Sequence, residues 1–388
     1  MVNPTSRRGA WRKKALLVLF GLALALAVGE AFLRWAVPYR FYYKFARFEI
    51  ERADPLPPGD QHADILLGPG MAPADGGIGY KLRPNMRARM VSSEFDIAVS
   101  TNAQGLRNGV IGPKTKTRVL FLGDSFTMGY GVEAEQAFPA VYGELAGPEV
   151  EVINGGIMGY NPYNVANFLE HEALDYKPDV VVVQFEPRGD VCIAGGPAEF
   201  VGKHQVPYKS TIKNFALRSH LVMLVVQRLK TNASTRRWLM NRGLLGRFDD
   251  DRIFNENFAD ICRDNLTRLD KLIGKMKNLC DEHGVELVFF LTPLREQIDA
   301  DILRTHFDYN LIAYDLEKID LTAPNRTLAE LAAKHGVRLI DPTGRFRREC
   351  ANTLCYFTGY DIHFTPRGHR LAAQSLIDAG LITPGEHP

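Results

Sequence analysis

The chain has 388 residues, which is enough for one large α/β domain with accessory segments. Hydrophobic residues make up 46% and charged residues 24% of the sequence, so disordered and collagen-like chains are excluded. The formal net charge of +2 gives no broad basic surface, and we expect no nucleic-acid partner. The five cysteines are too few and too scattered for a disulfide scaffold or a thiolate zinc site.

The N-terminus carries the first strong pattern, an unbroken apolar run over residues 15–28. The run extends past Glu30 to Leu33, which gives the ~17–25 residues that a bilayer core requires. Trp35 and several tyrosines follow, as is typical of the headgroup level. We therefore expect a single-pass signal anchor over 15–35, a basic cytoplasmic tail over 1–14, and a main domain in the periplasm or outside the cell. The basic residues of the tail are Arg7, Arg8, Arg12, Lys13 and Lys14.

Two other interpretations of the same segment stay open. Ala25-Leu26-Ala27 fits an A-x-A cleavage site, which would make the segment a removable signal peptide. The segment could also be a buried helix of a soluble protein. Outside the cytoplasm, Cys350 and Cys355 could close a small disulfide loop, or both could be free thiols.

The chain then divides by composition. Residues 36–115 are predicted to be a linker and a small β appendage, because 51–75 are rich in proline and glycine and 95–101 alternate polar with apolar residues. A main domain is expected over 116–382, with an insertion at about 192–255. Within the insertion, residues 214–230 have helical apolar spacing, which fits a lid, a membrane contact or a helix packed on the domain's flank.

The main domain alternates strands with helices. Five short apolar runs, each followed by turn residues, predict parallel strands buried on both faces of a doubly wound sheet: 118–122, 150–153, 180–185, 286–291 and 338–340. Helices are expected between them, at about 137–146, 164–175, 257–283 and 328–335, and after them at 371–377. In such a sheet the active crevice lies at the carboxyl ends of the strands.

Candidate catalytic residues lie at two places. Ser125 follows the first strand in a Gly-Asp-Ser turn that opens a helix, where the helix dipole stabilises a developing oxyanion. Near the C-terminus, Asp361 and His363 project to the same side of an extended segment, so the carboxylate can orient the imidazole as a base. Metal ligation by His363 with His369 and Asp341 is the competing interpretation.

The order of these residues resembles the SGNH/GDSL hydrolase superfamily over about 100–380. Three blocks carry the resemblance: "VLFLGDSFTMGYGV", "VINGGIMGYN" and "DIHFTPRGHRLAA". The upstream "STNAQGLRN" and the apolar N-terminus are similar to a membrane-attached branch of it. The resemblance implies a flavodoxin-like, three-layer α/β/α sandwich with a five-stranded parallel sheet, after an N-terminal transmembrane helix and the β appendage.

The family's functional residues carry over position by position. Ser125 matches the nucleophile and contributes to the oxyanion hole, Gly159 matches the second-block glycine of that hole, and Asp361 and His363 match the acid and the base. The family's third block usually has an asparagine as a further oxyanion donor, and Gly189 stands in its place here. Arg188, pointing toward Ser125, could replace that donor, as could Asn161 or Asn164.

The resemblance implies a membrane-anchored serine esterase or O-acyltransferase outside the cytoplasm, without a metal or cofactor. Its D-x-H spacing and its location favour short acyl groups, acetyl above all, on envelope or exported glycans. A catalytically weak or inactive SGNH domain that binds glycans or assembles an envelope complex is the alternative, favoured by the missing asparagine. A different flavodoxin-like protein binding a nucleotide or flavin lacks support, because no G-x-G-x-x-G or Walker pattern is present.

Overall fold

A computed structural model describes the chain over eleven stretches: 4–36, 47–53, 66–67, 79–192, 219–242, 254, 257–299, 301–303, 319–350, 354–357 and 361–382. The chain forms two compact units. The smaller unit comprises Met1–Lys44 and Val206–Gly246, and the larger comprises Phe45–Gln205 and Arg247–Pro388.

Strands and helices are numbered here in chain order through both units. The strands are β1 (Arg47–Arg52), β2 (Leu66–Leu67), β3 (Lys81–Leu82), β4 (Arg87–Val91), β5 (Asp96–Ser100), β6 (Thr117–Gly123), β7 (Val150–Gly156), β8 (Val180–Phe185), β9 (Glu286–Leu291) and β10 (Arg338–Ile340). The α-helices are α1 (Pro4–Ala36), α2 (Ser125–Met128), α3 (Phe138–Ala146), α4 (Pro162–His171), α5 (His220–Thr231), α6 (Ala233–Asn241), α7 (Phe258–Ile261), α8 (Arg263–Glu282), α9 (Arg295–Ile298), α10 (Ala323–Lys334), α11 (Thr343–Cys350) and α12 (Pro366–Asp378). Shorter helical turns cover Ala134–Gln136, Ala173–Tyr176 and Pro187–Cys192.

The larger unit is built on a five-stranded sheet in the order β10-β9-β8-β6-β7, and each neighbouring pair is parallel. This confirms the predicted α/β fold with its five-stranded parallel sheet. All six residues of β8 are buried. Both faces of the strand are therefore covered, which is why its sequence is a continuous apolar run.

Helices cover the two faces of the sheet. Val181 and Val183 of β8 point into a core that includes residues of α4, α8 and α10. Val180 and Val182 point into the opposite core, which includes residues of α3, α11 and α12. The predicted helix over 257–283 is interrupted at Cys262, where α7 ends and α8 begins.

A small antiparallel sheet in the order β1-β4-β5 precedes the main sheet. Exposed and buried residues alternate along β5, as the sequence pattern predicted. Its buried residues Ile97 and Val99 share a core with Met128 and Tyr130, which follow the first strand of the main sheet. The small sheet therefore supports the turn that carries Ser125.

The smaller unit contains α1, α5 and α6. Within α1, Lys13–Ala36 is long and apolar enough to cross a membrane, with a mean hydropathy of 2.4. Large apolar side chains along this segment are exposed. Helix α5 begins at His220, and residues 214–218 of the predicted helix lie outside the described part of the chain.

Cys350 and Cys355 are disulfide-bonded, with their Cα atoms 5.7 Å apart. Cys262 is also in a disulfide. The buried Cys280 is the one free cysteine among the described residues.

Candidate active site

Ser125 is the first residue of the short helix α2, at the carboxyl end of strand β6, which lies between β8 and β7. The side chain of Asp124 caps the helix by accepting a hydrogen bond from the amide of Phe126 at 2.8 Å. Gln184, at the end of β8, fixes the turn from the other side because its Oε1 accepts from the Asp124 amide and from the Thr127 hydroxyl, both at 3.1 Å. The nucleophile candidate thus lies on a turn held by two side chains.

His363 reaches Ser125 from the C-terminal segment, although 238 residues separate the two in sequence. The distance from Ser125 Oγ to His363 Nε2 is 2.6 Å. On the other side of the ring, His363 Nδ1 lies 2.6 Å from Asp361 Oδ1, which also accepts a hydrogen bond from the His363 amide at 3.0 Å. The three side chains therefore form a continuous Ser-His-Asp chain of hydrogen bonds.

Two aromatic rings hold the imidazole of His363. The ring of Tyr130 stacks on it at a centroid distance of 4.2 Å and an interplanar angle of 25°, and Phe126 lies at 4.8 Å. Tyr130 is itself placed by Arg107, whose buried guanidinium donates to the carbonyls of Gly129 at 2.6 Å and Val132 at 2.7 Å. Burial lowers the pKa of Arg107 to about 10.

The second-block loop is tied to the nucleophile turn through the amide of Ile157, which donates to the Gly123 carbonyl at 3.0 Å. Gly159 has a φ of +79°, a left-handed conformation that favours glycine. The Tyr80 hydroxyl donates to the Met158 carbonyl at 2.8 Å. Because carbonyl and N–H point in opposite directions across a trans peptide, this contact directs the Gly159 N–H away from Tyr80.

The third block forms a helical turn after β8 over Pro187–Cys192. Arg188 Nη2 donates to Oε1 of the buried Glu296 at 2.9 Å. The Arg188 side chain is 16% exposed. The Gly189 amide donates to Glu186 Oε2 at 2.5 Å. Arg188 and Gly189, the two third-block candidates for the oxyanion hole, therefore contact acidic side chains.

Buried carboxyl groups surround this third block. Asp124 and Asp190 line one small cleft. Burial raises the pKa of Asp124 to about 6 and that of Glu186 to about 7. Burial, together with the charge of Asp124, raises the pKa of Asp190 well above its usual value. These groups bind protons at pH values where exposed carboxyl groups are ionised.

Asn161 and Asn164, the other substitutes considered for the missing donor, form a reciprocal cap at the start of α4. Asn161 Oδ1 accepts from the amides of Tyr163 at 2.9 Å and Asn164 at 3.2 Å. Asn164 Oδ1 in turn accepts from the Asn161 amide at 3.3 Å. Their side-chain oxygens thus serve the helix terminus.

Two of the three residues considered for a metal site, His369 and Asp341, have structural hydrogen bonds. His369 is fully buried and its Nδ1 accepts from the Phe138 amide at 3.1 Å, while burial lowers its pKa to about 3. Asp341 accepts from Asn325 at 2.8 Å and from the Thr343 amide at 2.9 Å. Across the stretches that the structure describes, no group of three His, Cys, Asp or Glu side chains could hold a metal ion.

Sequence reasoning assigned no role to Tyr80, Arg107 or Gln184. Arg107 lies within the "STNAQGLRN" block, but nothing in that pattern indicates which carbonyl groups its guanidinium contacts. Tyr80 lies 78 residues before its partner Met158, and no motif joins them. Gln184 is a polar residue at the end of an otherwise apolar strand, and that contrast was the available signal.

Residues 254–384 match the family model described as "SGNH hydrolase-like domain, acetyltransferase AlgX". No curated protein sequence matches the chain significantly. The matched segment begins after the Ser125 turn and includes Asp361 and His363.

Several solved structures are similar. TesA has 13% identity and a TM-score of 0.38, covering 68% of this chain and 97% of its own. The acetyl xylan esterase AlAXEase has 16% identity and a TM-score of 0.37, covering 68% and 98%. A carbohydrate acetylesterase family member from Sinorhizobium meliloti has 14% identity and a TM-score of 0.34, covering 68% and 97%. These TM-scores are low, so nothing about function follows from them.

The family-model match falls on the part of the larger unit that completes the parallel sheet and carries the Asp361-His363 pair. The remaining sequence blocks, around Ser125 and Gly159, lie on the neighbouring strands β6 and β7 of the same sheet or directly after them. Over residues 254–384 the chain is thus similar to an SGNH hydrolase-like domain.

Proposed function

We propose that this protein is a membrane-anchored serine esterase or O-acyltransferase that acts outside the cytoplasm on short acyl esters of envelope or exported glycans. The observation that carries the proposal is the hydrogen-bonded chain from Ser125 Oγ through His363 to Asp361, with 2.6 Å at each step. A serine hydroxyl becomes an effective nucleophile when an adjacent base is oriented by a third group.

The proposed reaction is a two-step acyl transfer. His363 Nε2 accepts the hydroxyl proton while Ser125 Oγ attacks the ester carbonyl, and it then gives the proton to the departing alcohol. Water or an acceptor hydroxyl resolves the acyl-enzyme, again with His363 as the base. Asp361 keeps the Nδ1 proton in place, and the stacked Tyr130 ring can stabilise the imidazolium that forms.

We assign the oxyanion hole to the backbone N–H groups of Ser125 and Gly159. Ser125 opens a helix, and the Tyr80 contact fixes the orientation of the Gly159 N–H. Arg188 and Gly189, the candidates for a third donor, are engaged elsewhere, since Arg188 is paired with Glu296 and the Gly189 amide with Glu186. The site therefore works with two main-chain donors where the superfamily usually adds a side-chain amide.

The expected substrate follows from the family and the location. The family model that matches 254–384 is described as an acetyltransferase domain, which favours the acetyl group. The apolar segment of α1 follows a cluster of arginines and lysines. This charge pattern supports an N-terminus inside the cell and a larger unit outside the cytoplasm. The Cys350–Cys355 disulfide supports the same side of the membrane.

A second candidate function has one specific observation in its favour. The superfamily's oxyanion asparagine is replaced by Gly189, and losing one oxyanion donor costs about 10²–10³ in turnover in other serine hydrolases. A weakly active or inactive domain that binds glycans within an envelope complex would fit that loss.

Kinetics on esters of different chain length tests the proposal. Full-length protein in detergent should hydrolyse p-nitrophenyl acetate faster than p-nitrophenyl octanoate, and Ser125→Ala should remove the activity while the thermal melting temperature stays unchanged. Equal rates for wild type and Ser125→Ala would refute an enzymatic role for this site. Faster cleavage of the octanoyl ester would indicate a lipid esterase.

The glycan substrate is tested in cells. Deleting the gene should change the O-acetyl content of a surface polysaccharide, measured by NMR against the parent strain, and a plasmid with the Ser125→Ala gene should not restore it. Unchanged acetylation in the deletion strain would exclude envelope glycans as the substrate.

A further inference from the structure

The smaller unit contains a carboxylate within the apolar part of α1 that is hydrogen-bonded to the start of α5. The carboxylate of Glu30, in α1, accepts hydrogen bonds from the Ser219 hydroxyl at 2.7 Å and from the amides of His220 at 3.0 Å and Leu221 at 2.9 Å. Arg34, one turn further along α1, donates to the same carboxylate at 2.7 Å. Glu30 therefore caps the N-terminus of α5.

The position of Glu30 along α1 sets the depth of this contact. At 1.5 Å per residue, Glu30 lies about 22 Å beyond Ala15, where the apolar run begins. A bilayer core is about 30 Å thick, so in the proposed transmembrane orientation Glu30 lies near its outer boundary. An ionised carboxylate is costly at that depth unless it is paired or hydrogen-bonded. The first turn of α5 supplies those bonds, so in this orientation α5 starts close to the outer boundary of the bilayer core.

The composition of α5 and α6 is typical of helices at a membrane surface. Residues 219–242 contain five arginines and lysines and no aspartate or glutamate: Arg228, Lys230, Arg236, Arg237 and Arg242. Large apolar side chains on α5 and α6 are nevertheless exposed, with Val225 at 49%, Leu229 at 42% and Trp238 at 52%. Arg242 lies over the Trp238 ring at 5.2 Å. Exposed apolar and aromatic side chains beside cations, without acids, are typical of helices that lie in a membrane interface.

We propose that α5 and α6 form an interfacial hairpin that binds the anionic outer surface of the same bilayer that α1 spans. In this arrangement Val225, Leu229 and Trp238 enter the headgroup region, and the exposed Arg237 contacts lipid phosphates. The contact of Glu30 with the start of α5 couples the hairpin to the anchor. This inference rests on the proposed membrane insertion of α1, and the chain's three tryptophans allow the two to be tested separately.

The experiment uses the full chain reconstituted in vesicles of phosphatidylethanolamine and phosphatidylglycerol, with lipids brominated near the headgroup as quenchers. Trp11→Phe with Trp35→Phe leaves Trp238 as the sole fluorophore, and Trp11→Phe with Trp238→Phe leaves Trp35. Both single-tryptophan proteins should lose most of their emission. Quenching of Trp35 without quenching of Trp238 would overturn the hairpin proposal and leave the anchor intact. Absence of quenching at both positions would refute the anchor itself.

Two variants in the Trp238-only protein test the contacts. Arg237→Glu should reduce Trp238 quenching in the anionic vesicles, and high salt should have the same effect, since both weaken attraction to lipid phosphates. Glu30→Ala should reduce Trp238 quenching because α5 loses its cap, whereas Glu30→Ala in the Trp35-only protein should leave Trp35 quenched. Trp238 quenching that is unchanged by both substitutions would contradict the assigned contacts.

Discussion

Asp361→Asn tests the arrangement of the triad by changing one atom of a side chain. In the wild type, Asp361 Oδ1 accepts from both the ring Nδ1 and the main-chain amide of His363, at 2.6 and 3.0 Å. In the variant, an NH₂ group in the position of Oδ1 donates to Nδ1 and can no longer accept the hydrogen bond from the main-chain amide. The imidazole would then carry its proton on Nε2, which faces Ser125 at 2.6 Å and could no longer accept the hydroxyl proton.

The expected size of the effect follows from that tautomer change. In another serine hydrolase the same aspartate-to-asparagine substitution reduces kcat by about 10⁴, and we expect a loss of similar order because both hydrogen bonds of the triad are short here. The free energy of unfolding should fall by only about 1 kcal/mol, since one hydrogen bond, from the main-chain amide of His363, is lost. Asp361 is buried, at 7% exposed, but asparagine has the same size and shape, so the variant should fold.

The assay is hydrolysis of p-nitrophenyl acetate by the full chain, with thermal melting of the same samples. Asp378→Asn is the matched control, because it makes the same chemical change at an exposed carboxylate on α12 that pairs with Arg345. The control should keep wild-type kcat. A kcat for Asp361→Asn within tenfold of wild type, in protein that thermal melting shows to be folded, would refute the role given to Asp361.

Three further predictions concern groups around the triad. Gly189→Asn should raise kcat about tenfold or more, because it restores a side-chain amide donor to the oxyanion hole. Gly189→Ala is the control and should not raise kcat, since its Cβ would meet only Glu186 Oε2, at 3.2 Å. Equal kcat values for the two variants would contradict the missing donor. Tyr80→Phe should lower kcat several-fold with little change in KM, because the Met158 carbonyl loses a hydrogen bond worth about 1 kcal/mol that orients the Gly159 N–H. An effect on KM alone would argue against a role of this N–H in the oxyanion hole. For Glu186, burial raises the pKa from 4.5 to about 7, so the folded protein binds this proton more tightly than the unfolded chain and stability falls as pH rises through that range. Glu186→Gln should therefore gain stability relative to wild type as pH rises from about 4.5 to about 7, and a difference in melting temperature that is independent of pH would contradict this.

The sheet could be predicted from the sequence because each strand carries its own signal. Buried parallel strands such as β8 are continuous apolar runs, and each is followed by turn residues. Ser125, Asp361 and His363 were combined into one site by the resemblance of their blocks to the SGNH/GDSL superfamily, because each short pattern alone is weak. In the structure the end of β6 and the C-terminal segment meet, with Ser125 Oγ 2.6 Å from His363 Nε2.

Contacts that depend on distant residues could not be predicted in the same way. The hydrogen bond from Tyr80 to Met158 and the placement of Tyr130 by Arg107 join segments with no shared pattern. The pairing of Arg188 with Glu296 depends on α9, 108 residues away, so the sequence could suggest Arg188 as an oxyanion donor but not its partner. The hydrogen bonds between Glu30 and the first turn of α5 join residues about 190 positions apart, and no sequence pattern predicted them.

Covalent labelling of Ser125 tests the central claim most directly. The full chain in detergent is treated with a fluorophosphonate probe, and the modified residue is located by mass spectrometry of its peptides. The account predicts that wild type is labelled at Ser125, that His363→Ala is labelled far more slowly, and that Ser125→Ala is not labelled. A wild-type protein that takes up no label, or a Ser125→Ala protein labelled as fast as wild type, would show that this serine is not a catalytic nucleophile.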